Sequence, residues 1–230
     1  MRHVGRRLLA IGTVVVGANM GLATAMAANE RPATTGAPTC QVCGHNLISN
    51  PGAEDGQGSN EDSVIKVIPG WAHRGGFTVA LYTWSGGDIS PTTPGPKNRG
   101  KNYFYGGPDS ARSTGTQLIK IPVNEVPAAG LQYVLSGWLG GYDGQGDDAT
   151  LYASFKNAAG VTLSSAHIGP VTEAQRDSVS ELLHKAVTGE FPPSTRTVQV
   201  ELVFVRDSGS DNDGMADNLS LVLSVPKPMA

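Results

Sequence analysis

The chain has 230 residues, of which 30 are Gly and 15 Pro. These chain-breaking types make up about a fifth of it against roughly 12% in average usage, which excludes a helical bundle or a coiled coil. With 39% hydrophobic and 16% charged residues it is poorer in charge than the usual roughly 25%, yet below the Pro and Gly content of low-complexity disorder, so a turn-rich globular domain remains. One domain is the default for a chain of this length.

The first 27 residues read as a signal peptide. Arg2, Arg6 and Arg7 form a basic start, the stretch from Leu8 to Ala25 is mostly apolar or small, and Ala25-Met26-Ala27 supplies a small-x-small cleavage pattern. Gly12, Gly17, Asn19 and Gly21 weaken that run as a membrane anchor. The mature protein is therefore expected to be secreted, extracellular and free of the membrane. Loss of the three arginines leaves 14 Lys and Arg against 20 Asp and Glu, a formal charge of −6. No basic run survives, which argues against nucleic acid and favours neutral ligands or cations. A monomer is expected.

Residues 28–45 read as a flexible leader that carries the only two cysteines, Cys40 and Cys43. No second Cys or His pair follows at zinc-finger spacing. In an oxidising compartment the pair is expected to close a small disulfide loop at the start of the domain.

Residues 46–230 show short alternating apolar segments separated by Gly, Pro, Asn and Asp clusters. Leu131, Tyr133, Leu135 and Leu139 mark one strand, Leu151, Ala153 and Phe155 another, and Val198, Val200, Leu202 and Phe204 a third. Further strands are expected at 77–84, 116–121, 162–168 and 219–225, with a shorter one near 64–68. About eight strands without βαβ alternation predict an all-β antiparallel sandwich. One segment stays open. Thr172-x-x-Gln175 looks like a capping box, and Val179, Leu182, Leu183 and Ala186 fit helical spacing. The alternative is one helical turn near 173–176 followed by a strand at 181–187.

The opening Asn46-Leu-Ile-Ser-Asn50-Pro-Gly-Ala-Glu54, followed by Ile68-Pro-Gly-Trp71, resembles the first strands of galactose-binding-like jelly rolls. It is similar to carbohydrate-binding modules of the cellulose- and xylan-binding type, and Asp213-Gly-Met-Ala-Asp217-Asn218-Leu resembles the start of their last strand. Ala53 departs from the pattern, standing where that family often has Phe. The resemblance implies a single jelly-roll domain, favours the turn-then-strand reading of 172–187, and leaves function open because the superfold serves many roles.

Catalytic signals are weak. No Gly-x-Ser-x-Gly elbow is present, and His45, His73, His167 and His184 lack metal-binding spacing. Asp147-Asp148 and the group Asp211, Asp213 and Asp217 read as solvated caps or cation ligands before they read as a hydrolytic pair. Aromatic residues are more telling, because a sugar ring wants a flat aromatic plate with amide or charged groups at its edge. Two Gly-rich stretches, 98–107 and 138–148, supply both. Trp71 and Trp138 flank predicted strands and are expected in the core. Asn102, Tyr105, Tyr142 and Gln145 are expected to form the exposed ligand surface.

Hard oxygens occur at both ends of the domain, on Asn50, Glu54 and Asp217. First and last strands of a jelly roll lie side by side, and the resemblance implies a structural calcium ion (Ca2+) between them. The plain alternative is that Glu54 and Asp217 cap turns. The expected function is non-catalytic recognition of an extracellular polysaccharide or glycan. The alternatives are a glycoside hydrolase-like enzyme using Asp147 or Asp148, and an adhesive surface domain that binds protein.

Overall fold

The computed structural model describes residues 40–123 and 130–226. The expected signal peptide and leader residues 28–39 lie outside the described residues. Ten strands form two five-stranded sheets: β1 (Ala72–Arg74), β2 (Thr78–Leu81), β3 (Asn102–Gly107), β4 (Arg112–Lys120), β5 (Leu131–Gly141), β6 (Asp148–Lys156), β7 (Thr162–Ile168), β8 (Glu181–Phe191), β9 (Thr197–Val205) and β10 (Asn212–Ser224). One sheet runs β1-β4-β9-β6-β7 and the other β2-β3-β10-β5-β8, with antiparallel pairing throughout. Numbered among themselves, the last eight strands lie in the orders 2-7-4-5 and 1-8-3-6, which is the jelly-roll arrangement of two interleaved Greek keys.

The core lies between the sheets and follows from period-two alternation. Leu135 and Leu139 of β5, Leu151 and Phe155 of β6, Val200 and Leu202 of β9, and Leu219, Leu221 and Leu223 of β10 all point into it. Trp71 is buried there as expected and meets Phe104 edge-on at 5.2 Å. Turn-then-strand is the arrangement at 172–187. Thr172 and Gln175 form the reciprocal capping box, but the helix stops after Glu173–Arg176 because Asp177 and Ser178 both take positive φ. β8 then pairs with β5 along its whole length, with Leu183 and Val187 facing the core.

Two expectations are corrected. Residues 64–68 are not a strand: only Ile68 makes a bridge, to Trp71, and the Ile65 amide donates to the Thr78 hydroxyl at 2.8 Å instead of a neighbouring strand. Residues 102–107 are a strand, whereas the sequence reads as a loop. Their burial is continuous, so the alternation that betrays a half-exposed strand is missing.

β10 is the organising strand. Its register slips twice, between Asn212 and Met215 and between Asp217 and Ser220, where Asn218 takes φ 47. β3 pairs only with its first part. Beside the second part runs the segment that begins at the Cys40–Cys43 disulfide, with Gly44 donating to Leu223, Leu47 to Leu221, and Leu219 back to Pro51.

A glycine tests this packing. Gly107 has φ +86, and a Cβ there would sit 1.8 Å from the Gly76 carbonyl oxygen, whereas Gly160 has φ +78 with nothing within 4 Å. Gly160→Ala should cost about 1 kcal/mol for left-handed backbone alone. Gly107→Ala should cost about 1–3 kcal/mol more, since backbone must yield. Urea denaturation of both variants checks the difference, and equal costs would contradict the packing.

Candidate functional site

The sheet β2-β3-β10-β5-β8 carries a second apolar cluster on the face turned away from the core: Ala80, Tyr82, Ile89, Tyr103, Tyr105, Leu182 and Met215. These residues alternate with core residues such as Val79, Phe104 and Ala216, so both faces of this sheet are apolar at one end. What covers the outer face is the connection between β2 and β3, residues 82–101, which crosses it as a strap. Pro94 of the strap accepts from the Leu182 amide at 3.0 Å, on the far edge strand β8.

Arg99 sets the shape of the strap. Its guanidinium donates to the carbonyls of Pro96 (3.0 Å), Ser90 (2.9 Å) and Thr93 (2.6 Å) and lies 4.9 Å above the Tyr82 ring. Five donors in a rigid fork suit Arg to gathering several carbonyls of one loop. Three half-buried rings, Trp84 of the strap, Trp138 of β5 and Tyr142 of the turn after it, all pack on the same cluster. Trp138 therefore sits on the outer face, against the expectation of a core plug, with exposed His184 at 5.4 Å between ring centroids.

The expected ligand residues separate into two pairs. Tyr142 and Gln145 share the turn between β5 and β6, where the Gln145 amide donates to the Tyr142 carbonyl at 3.0 Å. Both are half-buried, and the Gln145 side-chain oxygen has no partner. Asn102 and Tyr105 are 4% and 3% exposed, which corrects the expectation of an exposed surface there. Asn102 donates to the Ala53 carbonyl at 2.7 Å, and the Tyr105 hydroxyl to Asp213 at 2.8 Å. Tyr105 is covered on the outer face within the cluster beneath the strap, and Asn102 is covered by the segment from Ala53 to Gly58.

Arg176 was not legible as a site residue. It is fully buried and donates to the carbonyls of Asp143 (2.9 Å), Val179 (2.6 Å) and Gln145 (2.7 Å), so it shapes the turn that holds Tyr142. Its burial works against its charge and lowers its pKa. Asp147 is equally committed: its carboxylate accepts from the amides of Asp207, Ser208 and Asp213, stapling the β9–β10 turn. Asp148 is pushed up to about 6, by burial first and then by Asp147 and Asp207.

Of the expected calcium ligands, the fold brings Glu54 and Asp217 together. Around Gly52, whose missing Cβ would lie 3.4 Å from Asp217 Oδ1 and 3.2 Å from Asn218 Oδ1, two oxygens converge beside the Glu54 Cγ methylene at 3.8 Å, while the Glu54 carboxylate itself lies against Gly100. Glu54 accepts from the amides of Lys101 (2.9 Å) and Asn102 (2.8 Å). Asp217, fully buried, accepts from the Tyr82 hydroxyl (2.8 Å) and the Asn218 amide (2.6 Å). Asn50 is elsewhere engaged, its side-chain amide bonded to Asp55 and Pro69. Among the described residues no group of three His, Cys, Asp or Glu side chains has metal-binding geometry, so a cation here would also need the Asn218 amide oxygen and main-chain carbonyls.

On the other margin of the strap Asp88 meets Asp213. Burial first, then the Asp213 carboxyl, pushes Asp88 up to about 8, with Asp211 and Asp62 adding to it. Asp217 is likewise pushed up to about 8 by burial, against the hydrogen bonds from Tyr82 and Asn218, with Glu54 raising it and Arg99 lowering it.

No protein-family model and no curated protein matches the chain. Solved structures do. A Stig cyclase from Fischerella sp. TAU is 14% identical, with 79% of this chain and 98% of that chain covered and a TM-score of 0.48. A family 16 carbohydrate-binding module is 19% identical, with 77% and 99% covered and a TM-score of 0.44. The enzymatically active domain of bacteriophage CBA120 tailspike protein 4 is 15% identical, with a TM-score of 0.47, and the match covers 78% of this chain but only 21% of that one. The likeness is one of fold, and both binding modules and enzymes share it.

The raised carboxyls fix the sign of the pH response. Unfolded, Asp88 and Asp217 lose their protons near 4; folded, they keep them to about 8. Between those values the unfolded state binds fewer protons, so stability falls as pH rises through the window. Thermal melts in chelator should show the midpoint dropping from about pH 4 to 8, with a shallower drop in Asp217→Asn. A rising midpoint would contradict this.

Proposed function

We propose that the protein is a secreted, non-catalytic carbohydrate-binding domain that recognises an extracellular polysaccharide or glycan. The observation that carries this reading is the set of three half-buried aromatic side chains, Trp84 of the strap, Trp138 of β5 and Tyr142 of the following turn, each packed on the buried tyrosine cluster. Rings held in this way offer flat apolar plates to the C–H faces of sugars without the entropy cost of ordering them on binding. The basic, apolar and small-residue order of the first 27 residues supports secretion, and the disulfide suits an oxidising destination.

A glycan array and affinity electrophoresis on soluble polysaccharides test the reading. Binding is expected, and Trp138→Ala or Tyr142→Ala should weaken it by about 1–3 kcal/mol as central anchors. Blank arrays, affinity unchanged in both variants, or release of sugar from the bound polysaccharide would overturn it.

A calcium ion held by Glu54 and Asp217 belongs to the same reading. The support is the fully buried Asp217 carboxylate beside the Asn218 amide oxygen, with Glu54 close enough to act on its charge. If the folded state alone binds it, calcium at one hundred times its dissociation constant adds about 2.7 kcal/mol of stability, a rise of a few degrees in melting temperature. Coincident melts with calcium and with chelator would remove it.

A further inference from the structure

The Asp88 margin of the strap has the makings of a site of its own. Asp213 is fixed from two sides, its amide donating to Asp147 at 2.8 Å and its carboxylate accepting from the Tyr105 hydroxyl at 2.8 Å. The strap brings the Asp88 carboxyl into hydrogen-bonding contact with it. Two carboxylates in contact repel unless a proton or a cation lies between them. The other charged groups acting on Asp88 are Asp211 and Asp62, and those on Asp213 are Asp147 and Asp211, all of one sign. The single ion pair among the described residues, Arg112 with Glu201 at 3.9 Å, does not involve this pair.

A second, independent feature points to a ligand. The Tyr103 hydroxyl is fully buried and has no hydrogen-bond partner. Both carboxylates act on it electrostatically, and the strap closes over it beside Asp88, since a Cβ on Gly87 would be 3.3 Å from its oxygen. An orphaned hydroxyl in such a place costs free energy unless something fills its valence. Two carboxylates and phenolic oxygens are a hard-oxygen donor set, and a set drawn from a loop and two strands suits the variable geometry of calcium better than the octahedron of magnesium. Surrounding Asp62 and Asp211 would concentrate cations at its mouth.

We propose that Asp88 and Asp213, with the free hydroxyl of Tyr103, bind a calcium-class divalent cation that fastens the strap to the sheet. This site is separate from Glu54 and Asp217, and it stands or falls independently of carbohydrate recognition. Bound there, the ion joins residue 88 of the strap to β10 and fixes the loop that frames the aromatic margin.

Metal-stripped full chain titrated with calcium chloride by calorimetry, and with terbium chloride by luminescence excited through tyrosine, tests the site. The background is Asp217→Asn, which disables the other candidate position. Tyr103 and Tyr105 would be within sensitising reach of a terbium ion, so uptake should give a luminescence rise that excess calcium reverses. Adding Asp88→Asn should weaken uptake about tenfold or more. The asparagine amide can still donate to Asp213, so the strap keeps its contact and the fold is preserved; near-ultraviolet circular dichroism verifies that. Asp213→Asn is the second variant and should behave alike. No calcium or terbium uptake in the Asp217→Asn background, or uptake that Asp88→Asn and Asp213→Asn both leave unchanged, overturns the proposal.

Discussion

Everything that distinguishes this sandwich depends on the two breaks in β10. A regular strand of thirteen residues would send alternate side chains to one face and pair with one neighbour on each side along its length. Here Asp213, Met215 and Asp217 share the outer face, with Asp213 at Tyr105 and Asp217 at Tyr82, and the second slip changes the phase so that Leu219, Leu221 and Leu223 return to the core. Two carboxylates four residues apart are thereby buried at opposite margins of one strap. The second bulge gives up ladder hydrogen bonds locally and in return lets one strand carry carboxylates on the outer face in its first part and leucines into the core from the same parity in its second.

Burying those charges sets the energetic character of the outer face. A carboxylate removed from water is tolerated through hydrogen bonds, protonation or a counter-ion. Tyrosine hydroxyls serve both acids, so the aromatic cluster is at once the apolar floor of the strap and the donor set for the carboxylates above it. Arg99 contributes in a different way. It spends its donors on the strap's own carbonyls, which leaves its charge to moderate Asp217 only from a distance. Shape and charge are thus handled by separate side chains, and the strap keeps a defined path without secondary structure.

The sequence made half-exposed strands legible and little else. β5, β6 and β9 alternate because each has a core side and a wetter side, and 162–168 was readable for its bounding glycine and proline signals. The capping box at Thr172 was visible because it is local, as was the short cysteine spacing. β3 was invisible as a strand: it is covered on both faces, by the core and by the strap, so Asn102 and Tyr105 looked like loop residues rich in neighbouring glycines. Tyr142 and Gln145 lie three residues apart in one turn and could be paired from spacing. Asp88 with Asp213 could not, because 125 positions separate them in the numbering and only the strap's crossing joins them. Glu54 with Asp217 was legible only through likeness at the two ends of the domain. Asn50, chosen by the same likeness, turned out to serve the main chain around Pro69.

The segment that leads in from Cys43 has a meaning beyond anchorage. It lies along the second half of β10, where β3 has ended, and occupies the amides and carbonyls of Leu219, Leu221 and Leu223. Without it those groups would form an open apolar edge in the middle of a sheet, the template on which another extended chain adds itself. The lead-in therefore closes that edge through isolated bridges and side-chain bonds instead of a full strand. A truncated domain starting after Pro51 would lose Ile48 from the core and Asn50 from beneath Trp71, and offer a sticky groove that invites either a donated strand from a neighbour or fibrillar stacking.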